Sequence, residues 1–357
     1  MSDIHGLLRF VKESGGSDLH LSTGVAPRIR LHGDLNAVEG WPPLTNEQVV
    51  ELMRPVTPAS MLVSGQQGHE ADFAISEGGV GRFRVNFFLQ EHGASAAFRL
   101  IPENITPLEK LALPPAVDKL VHMRSGLVLV TGPTGSGKST TLAGIIDRIN
   151  STYARHIVTI EDPIEFVHPN KKSVISHRQV GTDTPSFVEG VRAAVREDVD
   201  VLLVGEMRDP ETMARAIDAA EMGLLVFSTV HSNSAARTID RIVDVFPAAQ
   251  QSLIRTVLAD SLLAILSQTL LRTTDGKGRV AAVELLFKTQ SLTSIVRDGN
   301  TTMIDSVIQS GKQDGMQSLD EALAVCFLTG KVTYEDAYNA AKDPTWFARR
   351  TGRLPPA

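Results

Sequence analysis

Between Leu127 and Ile149 the chain reads as a strand, a glycine-rich turn and a helix in immediate succession. Leu127-Val-Leu-Val-Thr131 is an unbroken aliphatic run, Gly132-Pro133-Thr134-Gly135-Ser136-Gly137-Lys138-Ser139-Thr140 follows, and Leu142, Ile145, Ile146 and Ile149 then recur at helical spacing. Small residues are needed in such a loop because successive backbone N–H groups must close around phosphate oxygens, and the following helix adds its positive N-terminal end. Lys138 supplies a point charge for the β- and γ-phosphates, the Ser139 hydroxyl a ligand for Mg2+, and Thr140 a further cap on the anion. This P-loop predicts that the chain binds and hydrolyses ATP.

The surrounding pattern agrees. From Leu127 onward short aliphatic runs alternate with amphipathic helical segments, the signature of a parallel sheet with helical crossovers. The runs are Leu127–Thr131, Ile157–Ile160, Val201–Val204 and Leu225–Thr229, with Val280–Leu286 as a fifth. Ser186 with Glu189 begins one helix, and Asp209 followed by Pro210 begins another that ends near Gly223. Beyond Pro247, Leu253, Ile254, Val257, Leu258, Leu262, Ile265 and Leu266 form a helical stripe, so the remainder is expected to be all-α, with a loosely ordered tail after Pro344.

The first hundred residues differ. Phe83, Val85 and Phe87 alternate with Arg82, Arg84 and Asn86, the two-residue period of a half-buried strand. Thr45 and Gln48 make a capping box before Val49, Val50, Leu52 and Met53. An α+β domain with an antiparallel sheet is expected over residues 1–100. Pro102, Pro107, Pro114 and Pro115 mark residues 101–116 as a linker, which leaves 117–290 for the ATPase core and 291–357 for a C-terminal helical region.

A P-loop fits kinases, GTPases and motors alike, so discrimination rests on the other strand ends, where ligands of α/β sheets bind. Val201-Leu-Leu-Val-Gly-Glu206 is an apolar strand ending in a carboxylate, and Glu206 is the candidate general base for water. Ile160-Glu161-Asp162-Pro163 with Glu165 puts three carboxylates where Mg2+ and water would sit, making Glu161 and Asp162 candidate metal ligands beside Ser139. Ser228-Thr229-Val230-His231 points an imidazole at the same edge. Asn170-Lys171 is followed by Lys172 and Ser173, which breaks the guanine-reading pattern and disfavours GTP.

Bulk properties narrow the field. No stretch of the 357 residues approaches a membrane span, and Met1-Ser-Asp-Ile-His5 does not open a secretory signal, so a soluble cytoplasmic protein is expected. A net charge of −6 argues against a surface built for nucleic acid. One cysteine, Cys326, excludes a multi-cysteine zinc site and reads as a buried thiol.

With these residues in place, the chain resembles the secretion-type ATPases, and within them the twitching-motility PilT/PilU family that retracts type IV pili. Four stretches carry the resemblance: the Walker A loop 132–140, Thr159-Ile-Glu-Asp-Pro-Ile-Glu-Phe-Val167, Val204-Gly-Glu-Met-Arg-Asp209, and the His box from His231 to Thr238-Ile-Asp-Arg-Ile-Val-Asp-Val-Phe-Pro247. Gly15-Gly-Ser-Asp-Leu-His20 and Gly81-Arg-Phe-Arg-Val-Asn86 are similar to the family's N-terminal domain. The resemblance implies an α/β fold with an N-terminal PAS-like α+β domain, a RecA-like P-loop core and C-terminal helices. It implies a homohexamer at the cytoplasmic face of the inner membrane, acting on a pilus platform protein. It also implies that arginines from one subunit reach the ATP of the next, with Arg84 and Arg99 as candidates and Arg82 and Arg124 behind them. A type II or type IV secretion ATPase is the nearest alternative, and a RecA-like DNA motor a more distant one. Two departures stand out. Leu224 follows Gly223 where the family usually carries a histidine, and Ser291-Leu-Thr-Ser-Ile-Val-Arg-Asp298 replaces the usual Ala-Ile-Arg-Asn-Leu-Ile-Arg-Glu, with Thr293 in place of the first arginine.

Overall fold

A computed structural model of the chain describes residues 3–31, 33–58, 70–101 and 105–353. The chain divides into two compact units, residues 1–104 with 162–167, and residues 105–161 with 168–357.

In the first unit, strands β1 (Asp18–Ser22), β2 (Arg28–Leu31), β3 (Asp34–Ala37), β4 (Glu70–Glu77), β5 (Gly81–Gln90) and β6 (Gly93–Ile101) form an antiparallel sheet in the order β3-β2-β1-β6-β5-β4. The alternation read from Phe83 and Val85 holds: both are fully buried on β5, while Arg82 and Arg84 lie on the other face. Helix Ile4–Glu13 buries Ile4, Leu7, Leu8 and Val11, a spacing that lays one apolar stripe on the sheet. Helix Asn46–Met53 starts at the capping box of Thr45 and Gln48.

In the second unit, β7 (Gly126–Thr131), β8 (His156–Glu161), β9 (Val174–Gln179), β10 (Val201–Val204), β11 (Leu225–Val230), β12 (Leu262–Arg272) and β13 (Arg279–Phe287) form a sheet in the order β13-β12-β7-β11-β10-β8-β9. Its pairs are parallel except β12 with β13. β7 and β11 are buried at every position, which is why they read as continuous apolar runs. The parallel register brings the C-terminal ends of β7, β11, β10 and β8 to one edge, and the P-loop, His231, Glu206 and Glu161 follow from those ends.

Three expectations are corrected. Leu262, Ile265 and Leu266 do not continue a helix: the helix ends at Ser261 and these residues belong to β12, inserted between β7 and β13. Leucine and isoleucine fill either period, and burial on both faces of an inserted strand removes the alternation that would have betrayed it. The segment after Pro344 is a helix, Pro344–Thr351, capped by Asp343 and anchored by the fully buried Phe347. The proline-rich stretch is not free of regular structure, since Leu108–Lys110 and Pro115–His122 are 3-10 turns, and Pro102 lies outside the described residues. Cys326 is buried, as read.

Candidate active site

The P-loop leaves β7 at Thr131 and runs into helix Lys138–Thr152. Gly132, Gly135 and Gly137 have φ of 147°, 77° and 87°, a backbone course that side chains with a Cβ resist. At Gly132 the space is also closed, since a Cβ there would lie 2.3 Å from the Gln268 carbonyl oxygen and 2.4 Å from Ser136 Oγ. Lys138 is buried and donates to the Gly132 and Pro133 carbonyls, 3.0 Å each. Its ammonium is thereby folded across the loop. The buried Ser136 hydroxyl has no hydrogen-bond partner among the described residues. An orphaned donor inside a glycine nest, beside an ammonium and a helix N-terminus, fits a polyphosphate.

Across the edge, Glu206 follows β10. One of its oxygens is 3.0 Å from His231 Nε2 and the other 2.8 Å from Arg208 Nη2. Burial pushes the Glu206 carboxyl up, but the Arg208 hydrogen bond and the charges of Arg208, His231 and Lys138 outweigh it and hold the group below its usual value. Glu206 is thus ionised at neutral pH. The strand ends are themselves tied together: Thr229 Oγ1 donates to the Gly205 carbonyl at 2.7 Å, Met207 N–H to the Thr229 carbonyl at 3.1 Å, and Gly205 N–H to the Ile160 carbonyl at 2.8 Å. Arg241 donates to the His231 carbonyl at 2.7 Å and fixes that loop from the helix that follows it.

Glu161 is buried at the end of β8 in the second unit, whereas Asp162 and Glu165 count with the first. Among the described residues no cluster of three His, Cys, Asp or Glu side chains has metal-site geometry. Glu161 ends β8 at the P-loop edge, and Ser139 opens the helix beside Lys138.

In the first unit Arg84 and Arg99 are directly opposed on β5 and β6, and Arg99 is opposed by Asp18 on β1 and Asp18 by Arg30 on β2. Like charges facing each other across a sheet are unfavourable. Here each is held by a carboxylate: Asp72 accepts two bonds from Arg84, at 2.6 and 3.2 Å, and Asp18 accepts from Arg99 Nε at 2.9 Å. Burial would raise the Asp18 carboxyl, yet the bonds from Ser17 and Arg99 keep it below its usual range. Arg99 is nonetheless 73% exposed, so its guanidinium stands out from the sheet.

A model of the family described as "Type II/IV secretion system protein" matches residues 66–325 of the 357. The chain is 46% identical to the type IV pilus retraction ATPase PilT of Pseudomonas aeruginosa, over 97% of its own length and 100% of that protein. The chain belongs to the type II/IV secretion system protein family. A crystal structure of the pilus retraction motor PilT with bound ADP superposes with a TM-score of 0.90 at 43% identity, covering 97% of this chain and 99% of that one. The ATPase DotB of Legionella pneumophila superposes with a TM-score of 0.76 at 27% identity, covering 93% of each chain.

Set among type II/IV secretion proteins, the two departures read differently. Leu224 packs into the core just before β11 begins, at the opposite end of that strand from His231. Six strand residues span about 20 Å, so the change lies a strand's length from the P-loop edge. Thr293 lies on helix Gln290–Asp298 and donates back to the Thr289 carbonyl at 3.2 Å, while Arg297 pairs with Asp260 at 2.9 Å. Two residues to which the sequence motifs assign no role are brought to the site by the fold. Arg208 was visible two positions after Glu206, and only the geometry pairs them. Gln268 was hidden because its strand read as helix.

Proposed function

We propose that this chain is a motor ATPase that drives type IV pilus retraction, working as a homohexamer at the cytoplasmic face of the inner membrane against a platform protein. No helix among the described residues is long and apolar enough to cross a membrane, so the membrane would be reached through a partner. The full-length likeness to a retraction ATPase supports this reading. The observation that carries it is the pairing of a P-loop with a carboxylate and imidazole, Glu206 and His231, at the same sheet edge.

The first unit is read as PAS-like and the P-loop sheet as RecA-like. The P-loop N–H groups, Lys138 and Ser136 bind and orient the ATP phosphates. Ser139 and Glu161 offer the oxygen donors a hard cation prefers, and Mg2+ held there would neutralise charge on the phosphate oxygens. Glu206 takes the proton of the attacking water after exchanging one of its two present partners for it. Arg208 is the partner to release, being 79% exposed. His231 keeps the other oxygen aimed. Arg84 and Arg99 leave Asp72 and Asp18 to reach the ATP of a neighbouring subunit, so assembly controls turnover.

The test is genetic. A strain lacking this protein should carry excess pili and fail to twitch; the wild-type chain should restore motility and Glu206→Gln should not. Normal pilus number and twitching in the deletion strain would sink the reading. The match to the type II/IV secretion system protein family favours a secretion ATPase as second reading. That one predicts lost protein export with pili unchanged.

A further inference from the structure

One side chain of β12, that of Gln268, is hydrogen-bonded both to the P-loop and to the helix that follows it. The register of β12 on β7 pairs Ser267 with Thr131, so Gln268 comes next to the first loop residue, Gly132. Gln268 is 3% exposed, and both ends of its side-chain amide are used. Nε2 donates to the Ser136 carbonyl at 2.6 Å, and Oε1 accepts from Thr141 Oγ1 at 2.8 Å. The same amide closes the space over Gly137, where a Cβ would lie 2.8 Å from Nε2. One residue thus touches the start of the loop, its last peptide and the first turn of the helix beyond.

The contact with Ser136 has a directional consequence. A trans peptide is planar, and its C=O and N–H point opposite ways. Drawing the Ser136 carbonyl toward β12 turns the N–H of Gly137 away from β12. That N–H is one of the donors a phosphate needs. A donor already aimed saves the ordering cost when ligand arrives.

We infer that Gln268 is a positioning residue for nucleotide phosphate: its amide N–H fixes the Ser136–Gly137 peptide so that the Gly137 N–H faces the anion. The inference rests on the nucleotide-binding reading above and deepens it. It assigns the side chain of β12, outside every motif of the ATPase, to the affinity for ADP and ATP. The donor end does this work, while the acceptor end, through Thr141, steadies the helix.

The experiment is a titration of the purified full-length chain with a fluorescent ADP analogue, at a temperature well below the melting point of each variant. Lys138→Ala is the control that should abolish binding. Gln268→Leu removes both bonds and should weaken ADP by about tenfold or more. Gln268→Glu keeps an acceptor for Thr141 but sets a carboxylate against the Ser136 carbonyl, and should weaken it at least as much. Thr141→Val leaves the Ser136 contact intact and should bind within about threefold of wild type. If the wild-type chain binds no ADP, the nucleotide reading itself fails. If wild type binds and the Gln268 variants bind equally well, or if all three variants lose affinity in proportion to their melting temperatures, the assignment is overturned. Should Gln268→Leu not fold, Gln268→Glu against Thr141→Val decides by the same criterion.

Discussion

His231 Nε2 lies 3.0 Å from Glu206 Oε1, joining the residues that follow β11 and β10. The imidazole therefore orients the carboxylate proposed as base, and its removal should slow the chemical step more than it weakens binding. His231→Ala is expected to lower kcat by about 10- to 1000-fold with ADP affinity within a few-fold of wild type. Steady-state turnover measured beside an ADP titration separates the two.

Arg208 sets the ionisation of that same carboxylate. Its hydrogen bond and charge are the leading influences that hold Glu206 low against the opposing effect of burial. Without them the carboxyl rises, so the base is protonated at higher pH. In Arg208→Ala the acid limb of the kcat/KM profile should move to higher pH, and a limb that stays in place contradicts the pairing.

Arg84 and Arg99, opposed on β5 and β6, are proposed to act on a neighbour's nucleotide. Mixed rings test this directly. Arg99→Ala and Glu206→Gln are each expected to lose most activity, since a trans arginine contributes about 10³- to 10⁵-fold. Equal mixtures should form some boundaries with both an intact base and an intact arginine and so regain activity. A mixture no more active than the average of its components contradicts action between subunits.

Acid should weaken the second unit through His168. This ring is 5% exposed and stacks on His177 with centroids 5.8 Å apart. Burial first, and then the charge of His177, push it down to about 4; Asp147 opposes them, and Lys171 adds a smaller push in the same direction as burial. The unfolded chain takes up this proton near the ordinary histidine value, so the folded state binds fewer protons between there and about pH 4. The stability contribution is fully present above pH 6.5 and is lost as pH falls through that window. Roughly 2 kcal/mol should disappear between about pH 7 and pH 5, and His168→Gln should flatten the dependence. Urea midpoints at the two pH values check it.

Glu284, 1% exposed on β13, accepts from Ala235 N–H at 2.8 Å at the start of the helix Ala235–Asp244 within the His box, and pairs with Lys342. Lys342→Met leaves that charge buried without its counter-ion and should cost about 2–4 kcal/mol in denaturant unfolding. Adding Glu284→Gln to Lys342→Met should recover part of the loss. No recovery would mean that the lysine stem, and not the charge pair, carries the effect.

What was legible in the sequence follows from burial and from turn chemistry. β7, β10 and β11 could be read because strands covered on both faces are unbroken apolar runs, and the P-loop because only glycine tolerates its backbone course. Caps at Thr45, Ser186 and Asp209 fixed helix starts locally. β9 escaped notice, since Val174-Ile-Ser-His-Arg-Gln179 is a largely polar edge strand whose identity comes from pairing with β8. The Glu206–Arg208 pair and the Gln268 amide were invisible for a related reason. Both depend on which side chains meet across the fold, and in the second case on a strand whose periodicity did not announce it.

The central claim is that the edge formed by the P-loop, Glu206 and His231 hydrolyses ATP. Turnover by the purified chain, compared between wild type and Glu206→Gln, tests it most directly. The variant is expected to bind ADP as wild type does while its hydrolysis falls by about 100-fold or more. A wild type already as slow as Glu206→Gln, or a variant as fast as wild type, contradicts it.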